Sequence, residues 1–133
     1  MTDRELLSMA KRAMKNAYAP YSGYLVGAAL LCEDGSVYTG CNIENASFGV
    51  TNCAERTALF KALSEGQRRF CAIAVIGGKG GISSTYAMPC GVCRQALSEF
   101  CDDAFRIILG TDDGKVQTMT LGDLLPGAFQ LEP

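Results

Sequence analysis

The sequence has no histidine and no tryptophan, and only four prolines in 133 residues. The missing histidine removes the commonest metal ligand and the side chain that titrates nearest neutral pH. A metal site in this chain must use sulfur or carboxylate, and a general base must be something other than imidazole. Long apolar runs are missing as well. None is long enough to span a bilayer, and the opening stretch MTDRELLSMAKRAMK lacks the apolar centre of a signal peptide. Charge of one sign is also scarce: the net charge is -2, with acidic and basic residues interspersed. That mixture offers no electrostatic footprint for a nucleic-acid backbone or an anionic membrane. The expectation is a cytoplasmic protein with no nucleic-acid or membrane partner.

What is present narrows the field further. A 48% apolar, 20% charged composition is that of a folded chain rather than a disordered one. The length suits a single domain over residues 1–133. Seven cysteines in a secreted protein would suggest a disulfide framework, whereas in a reducing compartment they point to metal binding or catalysis. The same placement demotes Asn45-Ala46-Ser47, a glycosylation triplet that would never meet the modifying enzymes.

No repeat or low-complexity tract divides the chain. Thr2 and Glu5 have capping-box spacing, followed by Leu6, Ala10, Ala13 and Ala17 at helical intervals, with Pro20 limiting the helix. Tyr24 to Cys32 is a near-continuous apolar run. With the Asp34-Gly35 turn and Val37 to Asn42 it predicts a hairpin with a buried first strand. Residues 43–52 read as irregular, and a helix is predicted from Cys53 to Glu65, stopped by Gly66. Cys71 to Ile76 reads as a buried strand and Gly77 to Gly81 as a loop. GGKGG does not match phosphate-loop spacing. A second helix is predicted over Cys90 to Cys101, with strands at 105–109 and 115–119 and a short helix before Pro126. Strands alternating with helices predict an α/β fold: a three-layer α/β/α sandwich on a mixed, mostly five-stranded sheet. Cys32, Cys41, Cys71 and Cys101 fall in strands or on a helix, where small buried hydrophobes are common.

Two short stretches carry chemistry. In Met88-Pro-Cys-Gly-Val-Cys-Arg94, Cys90 and Cys93 share one face at the start of a helix. Unpaired N–H groups and the helix dipole favour thiolates there. C-x-x-C alone does not decide between a chelated cation and a redox disulfide. In Asn52-Cys-Ala-Glu-Arg-Thr-Ala58, Cys53 opens the other predicted helix. If the two helix starts meet, Cys53, Cys90 and Cys93 form a three-thiolate set that suits zinc and leaves its fourth position open. Glu55 converges with Cys53 only if that cysteine lies at the very start of the helix; it would then stand ready to move protons. Three thiolates around one divalent zinc leave one net negative charge. Arg56 would offset that charge by donating to the sulfurs, or it is an ordinary solvated helix arginine. Arg94 invites the same two readings.

With these residues in place, the chain resembles the small homotetrameric cytidine deaminases of the three-cysteine zinc type. Cys53-Ala54-Glu55 and Pro89-Cys90-Gly91-Val92-Cys93 match the zinc-deaminase pattern. Tyr21-Ser22, Val26 to Ala29, Gly40 to Ala46, Arg94-Gln95 and Leu125-Pro126 extend the likeness over nearly the whole chain.

The resemblance implies zinc-dependent hydrolytic deamination of cytidine and 2′-deoxycytidine to uridine and 2′-deoxyuridine in pyrimidine salvage, with ammonia released. It implies about one Zn²⁺ per chain on Cys53, Cys90 and Cys93. Glu55 would accept a proton from water, protonate N3 and assist ammonia departure. Backbone groups around Ala54 and just before Cys90 would hold the base, with Asn42 and Glu44 on the ribose hydroxyls. Tyr24 stands where the family usually has phenylalanine packing on the nucleoside, and Phe48 where tyrosine is frequent. Phe129 aligns with an aromatic that reaches a neighbour's site, implying a homotetramer with shared active sites. A deaminase of a related aminopyrimidine or nucleoside antibiotic, and a closed structural zinc domain using Cys41 or Cys101, are the alternatives. A thiol-redox protein would leave Cys53 and Glu55 without a task.

Overall fold

The computed structural model describes residues 1–133. Thr2 caps the first helix, α1 (Asp3–Met14): its hydroxyl accepts from Glu5 N, while the Glu5 carboxylate accepts from Thr2 N at 2.8 Å. This reciprocal pair satisfies two N–H groups that a helix start otherwise leaves without partners. The helix ends at Met14, before Ala17 and well before Pro20. Long-range pairing accounts for the early stop. Tyr18 N donates to Asn42 O and Glu44 N to Tyr18 O, drawing 16–20 out of helix into a bridge with Ile43.

The remaining elements are β1 (Tyr24–Cys32), β2 (Val37–Cys41), α2 (Ala54–Ser64), β3 (Phe70–Lys79), α3 (Gly91–Phe100), β4 (Arg106–Gly110), β5 (Val116–Thr120) and α4 (Leu121–Leu124). They form one five-stranded sheet in the order β2-β1-β3-β4-β5. Only β3 and β4 are parallel, and α3 lies in the crossover between them; the other neighbours are antiparallel. Strand alternation then builds two apolar layers. Ala72, Ala74 and Ile76 of β3 meet Leu6, Leu7 and Ala10 of α1. Ile73 and Val75 face the opposite layer with Ala58 and Leu59 of α2 and Leu97 of α3. The predicted sandwich on a mixed sheet is therefore the observed fold.

Two expectations change. The glycine-rich stretch is not simply a loop: β3 continues through Gly77 and Gly78, which pair with Val26 and Leu25. A Cβ at Gly78 would lie 1.9 Å from Ile82 O, so the returning chain requires glycine there. Of the four cysteines outside the two motifs, only Cys32 is buried; Cys71 is exposed on β3, and Cys41 and Cys101 are intermediate. Alternation puts Cys71 on the face of Ile73 and Val75, but it is the second residue of β3, at the exposed end of the strand. No helix is long and apolar enough to cross a membrane.

Candidate active site

Cys53 and Cys90 are the N-cap residues of α2 and α3, both in extended backbone conformation. Neither side chain caps its helix, so both sulfurs remain free to point elsewhere. They point at one another, with Sγ–Sγ 3.6 Å, and with Cys93 they form a cluster in which all sulfurs lie within 4.8 Å. Cys93 is fully buried one turn into α3. The packing of α2 on β2 helps set this meeting point. A Cβ on Gly40 would lie 2.5 Å from Ala58 N and 2.6 Å from Ala54 O, so glycine permits the first turn of α2 to sit directly on the strand.

Glu55 is in the first turn of α2 and only 4% exposed. Burial pushes its carboxyl up to about 7, and the neighbouring Cys53 charge adds to that rise. It is a carboxyl poised to exchange a proton near neutral pH. Arg56 turns back onto the cluster, its Nη2 3.4 Å from Cys53 Sγ. Burial alone would lower its pKa, but hydrogen bonding to Cys53 and Cys93 outweighs it and raises the net value. Arg56 Nε is the one buried side-chain nitrogen or oxygen with no partner. Cys53 is pushed down to about 5 by hydrogen bonding with Cys93 and Arg56, against its burial, whereas Cys93 is pushed up by the same bond and by burial. Burial instead raises Cys32, Cys41 and Cys101, the last to about 12, so those thiols keep their protons.

A cavity of about 380 Å³ opens beside the sulfurs. Next to it, Ile43 and Asn52 exchange backbone hydrogen bonds at 2.9 Å, tying the exit of β2 to the entry of α2. Asn42 spends its amide on β1: Oδ1 accepts from Val26 N at 2.9 Å and Nδ2 donates to Tyr24 O at 2.7 Å. One Nδ2 hydrogen stays available to a ligand. Glu44 accepts from the backbone N–H of Tyr21 and Ser22 and from the Ser22 hydroxyl. The Ser22 hydroxyl is the main cause of a carboxyl held below its ordinary range, with the two amides helping.

The fold thus gathers Tyr24, Asn42, Glu44, Cys53, Ala54, Glu55 and Cys90 around one cavity, with Cys93 and Arg56 behind it. Cys53 lies at the very start of its helix, the condition under which Glu55 converges on the sulfurs. Phe129 is not brought in: it is 64% exposed in the carboxyl-terminal tail, where its carbonyl accepts from Gln95. Phe48, also exposed, lines a separate shallow recess that shares Glu44. Arg94 takes neither anticipated role; it donates to Pro89 O and Leu124 O, both at 2.7 Å, bracing the turn that presents Cys90. No sequence motif points to the grip of Ser22 on Glu44. Nothing local reveals a contact across 22 residues. A larger cavity of about 740 Å³, between the end of α3 and the tail, is lined by Cys101, Asp102 and Asp103, whose ligand atoms do not converge as those of Cys53, Cys90 and Cys93 do.

The donor set fits zinc. Thiolates around a tetrahedral zinc, with Zn–S near 2.3 Å, stand about 3.8 Å apart, close to the 3.6 Å between Cys53 and Cys90. Neither Cys41 nor Cys101 belongs to the cluster, so a fourth sulfur is not at hand. Residues 1–110 match the family described as the cytidine and deoxycytidylate deaminase zinc-binding region. The chain is 52% identical over 131 residues to a cytidine deaminase of Halalkalibacterium halodurans, covering 98% of this chain and 96% of that protein. It is 48% identical to one from Sporosarcina psychrophila, over 99% and 94% of the two chains. The crystal structure of cytidine deaminase from Burkholderia pseudomallei superposes with a TM-score of 0.90 at 49% identity, covering 97% of this chain and all of that one. A buried carboxyl beside three convergent sulfurs, held on the same sheet as in these relatives, leads to one conclusion: the chain belongs to the zinc-dependent cytidine deaminase family.

Proposed function

We propose that the chain hydrolyses cytidine and 2′-deoxycytidine to uridine and 2′-deoxyuridine, releasing ammonia. The observation that carries this reading is the pairing within one cavity: Glu55, buried beside the three sulfurs, and Glu44, held ionised by the Ser22 hydroxyl and two backbone amides. Cys53, Cys90 and Cys93 would hold one Zn²⁺, which when bound supplies a Lewis acid with an open position that lowers the pKa of water.

The chain's own groups do the rest. Glu55 takes the proton of the attacking water and delivers it to N3 of the pyrimidine. It then takes the remaining proton from the hydroxyl now on C4 and passes it to the amine, so that the C4–N bond breaks, ammonia leaves and C4 keeps the oxygen as a carbonyl. Its burial supports this shuttle, because a carboxyl that is neutral or ionised with nearly equal ease can both accept and return a proton. Arg56 lowers the electron density on the sulfurs by donating to Cys53. Ala54, at the cavity wall, supplies backbone groups to the base, and the Tyr24 ring, 37% exposed, offers a face for the nucleoside to pack against.

Asn42 and Glu44 would take the sugar hydroxyls with the donor and acceptor positions their internal bonds leave free. An ionised Glu44 there disfavours a 5′-phosphate or a polynucleotide backbone, so a free nucleoside is the substrate class. That substrate suits a part in the salvage of free pyrimidine nucleosides in the cytoplasm. The exposed Phe48, Phe129 and Leu131 support assembly of copies of the chain into a homotetramer in which Phe129 completes a neighbour's cavity. The test couples two readings on one preparation: zinc per chain, and ammonia released from cytidine and deoxycytidine. About one zinc per chain with turnover of both nucleosides is expected. A zinc-replete protein that leaves both unchanged would defeat the proposal.

A further inference from the structure

We infer that Ser22 is a positioning residue for the sugar end of the site, clamping Glu44 so that a single, correctly aimed acceptor faces the substrate. The inference rests on the proposed role of Glu44 in binding the nucleoside sugar. Ser22 lines the cavity and sits at the centre of a closed set of hydrogen bonds. Its backbone N–H donates to Glu44 Oε1 at 3.1 Å, beside the Tyr21 N–H at 2.9 Å. Its hydroxyl donates to Glu44 Oε2 and accepts from Tyr24 N at 3.0 Å. Its carbonyl accepts from Lys79 Nζ at 2.6 Å, while Gly80 N donates to Gly23 O at 2.7 Å. The loop before β1 is thereby pinned to the end of β3.

The acceptor count gives the clamp a consequence. A carboxylate offers about four acceptor positions, two on each oxygen. Two amides fill Oε1 and the Ser22 hydroxyl takes one place on Oε2, leaving one. Glu44 then presents one position, fixed in direction, to one sugar hydroxyl. The exposed surroundings of Glu44 would otherwise let the carboxylate rotate among solvent and ligand, and the entropy of freezing it would fall on substrate binding. The Ser22 hydroxyl also accepts from the backbone N–H of Tyr24, so one side chain ties the acceptor to the backbone that carries the ring offered to the nucleoside.

The experiment is a double-mutant cycle on the zinc-loaded enzyme, with Ser22→Ala, Glu44→Gln and the pair assayed for kcat and KM on cytidine. Ser22→Ala is expected to raise KM about tenfold, as for loss of a hydrogen bond to a charged group, with kcat within about twofold. Ser22→Thr, which keeps the hydroxyl, should restore KM. In the Glu44→Gln background Ser22→Ala should add little, since the group it positions has been altered. Equal zinc content and melting temperature across the set exclude a folding defect. If Glu44→Gln raises KM while Ser22→Ala does not, the clamp is wrong and the sugar role of Glu44 stands. Independent, additive effects of the two substitutions would also overturn the clamp, by assigning Ser22 a purely structural part. If Glu44→Gln itself leaves KM unchanged, the sugar role fails and the clamp falls with it.

Discussion

Glu55 and Glu44 line one cavity, yet their surroundings treat them in opposite ways. Glu55 is buried beside Cys53, Cys93 and Arg56, and loss of solvent lifts its carboxyl to about 7. Glu44 is surrounded by donors, and the Ser22 hydroxyl with two backbone amides holds it ionised. On the proposed reading, the difference separates two tasks given to one residue type. A group that must gain and lose a proton needs few hydrogen bonds and little water, whereas a group that must hold a hydroxyl needs its charge fixed and its orientation set. Asn42 follows the second pattern, with both ends of its amide engaged, whereas Arg56 fits neither: it stays charged, donates to Cys53 and leaves its Nε unpartnered.

The contrast can be broken most severely at the sulfur end. Cys90→Ala leaves two sulfurs, and zinc affinity should fall by more than the roughly 100-fold that loss of a supporting partner can cost. Metal content after dialysis checks this, and full retention of zinc would remove Cys90 from the ligand set. Glu55→Gln comes next. It should retain zinc and fold while lowering kcat by about 10²–10⁴, the range for a positioned acid–base group. Arg56→Ala removes a donor without touching the ligand count, so a smaller loss of about 10–100-fold in zinc affinity or turnover is expected. Titration with a competing chelator resolves it.

The smallest effect lies outside the cavity, at Asp34. There hydrogen bonds from Ser36 and Gln67 hold an exposed carboxyl at about 2, as Ser22 holds Glu44 but with no ligand to serve. A lowered folded-state value means that its contribution to stability is present above the ordinary value near 4 and is lost as pH falls through about 2. Asp34→Asn should therefore slightly flatten the fall in melting temperature over that interval and leave kinetics at neutral pH unchanged. A changed KM would show that the β1–β2 turn communicates with the site.

Local signals predicted the parts of this molecule that local interactions build. The run from Tyr24 to Cys32 is strand over its full predicted length, because apolar residues fill it and a turn bounds it. The capping pair at Thr2 and Glu5 and the two helix starts at Cys53 and Cys90 were equally legible. The C-x-x-C and C-A-E stretches were enough to suggest three sulfurs and an acid–base, since residue type and spacing near helix starts limit what they can do. What the sequence hid depends on distant partners. The early end of α1 requires Asn42 to capture Tyr18, and the extension of β3 through Gly77 and Gly78 requires β1 alongside. Arg94 was ambiguous because its acceptors, Pro89 O and Leu124 O, meet only after α4 packs against α3. The Ser22 grip on Glu44 belongs to the same class of contact.

The division of labour between the two carboxylates is tested most directly by measuring kcat and KM for cytidine in Glu55→Gln and Glu44→Gln side by side, with zinc content equal. Glu55→Gln should lose kcat while still binding substrate. Glu44→Gln should raise KM by about 10–100-fold, the cost of a hydrogen bond to a charged acceptor, with kcat nearly preserved. If the two substitutions depress the same parameter to the same degree, the account of one cavity with a proton-moving end and a sugar-holding end is contradicted.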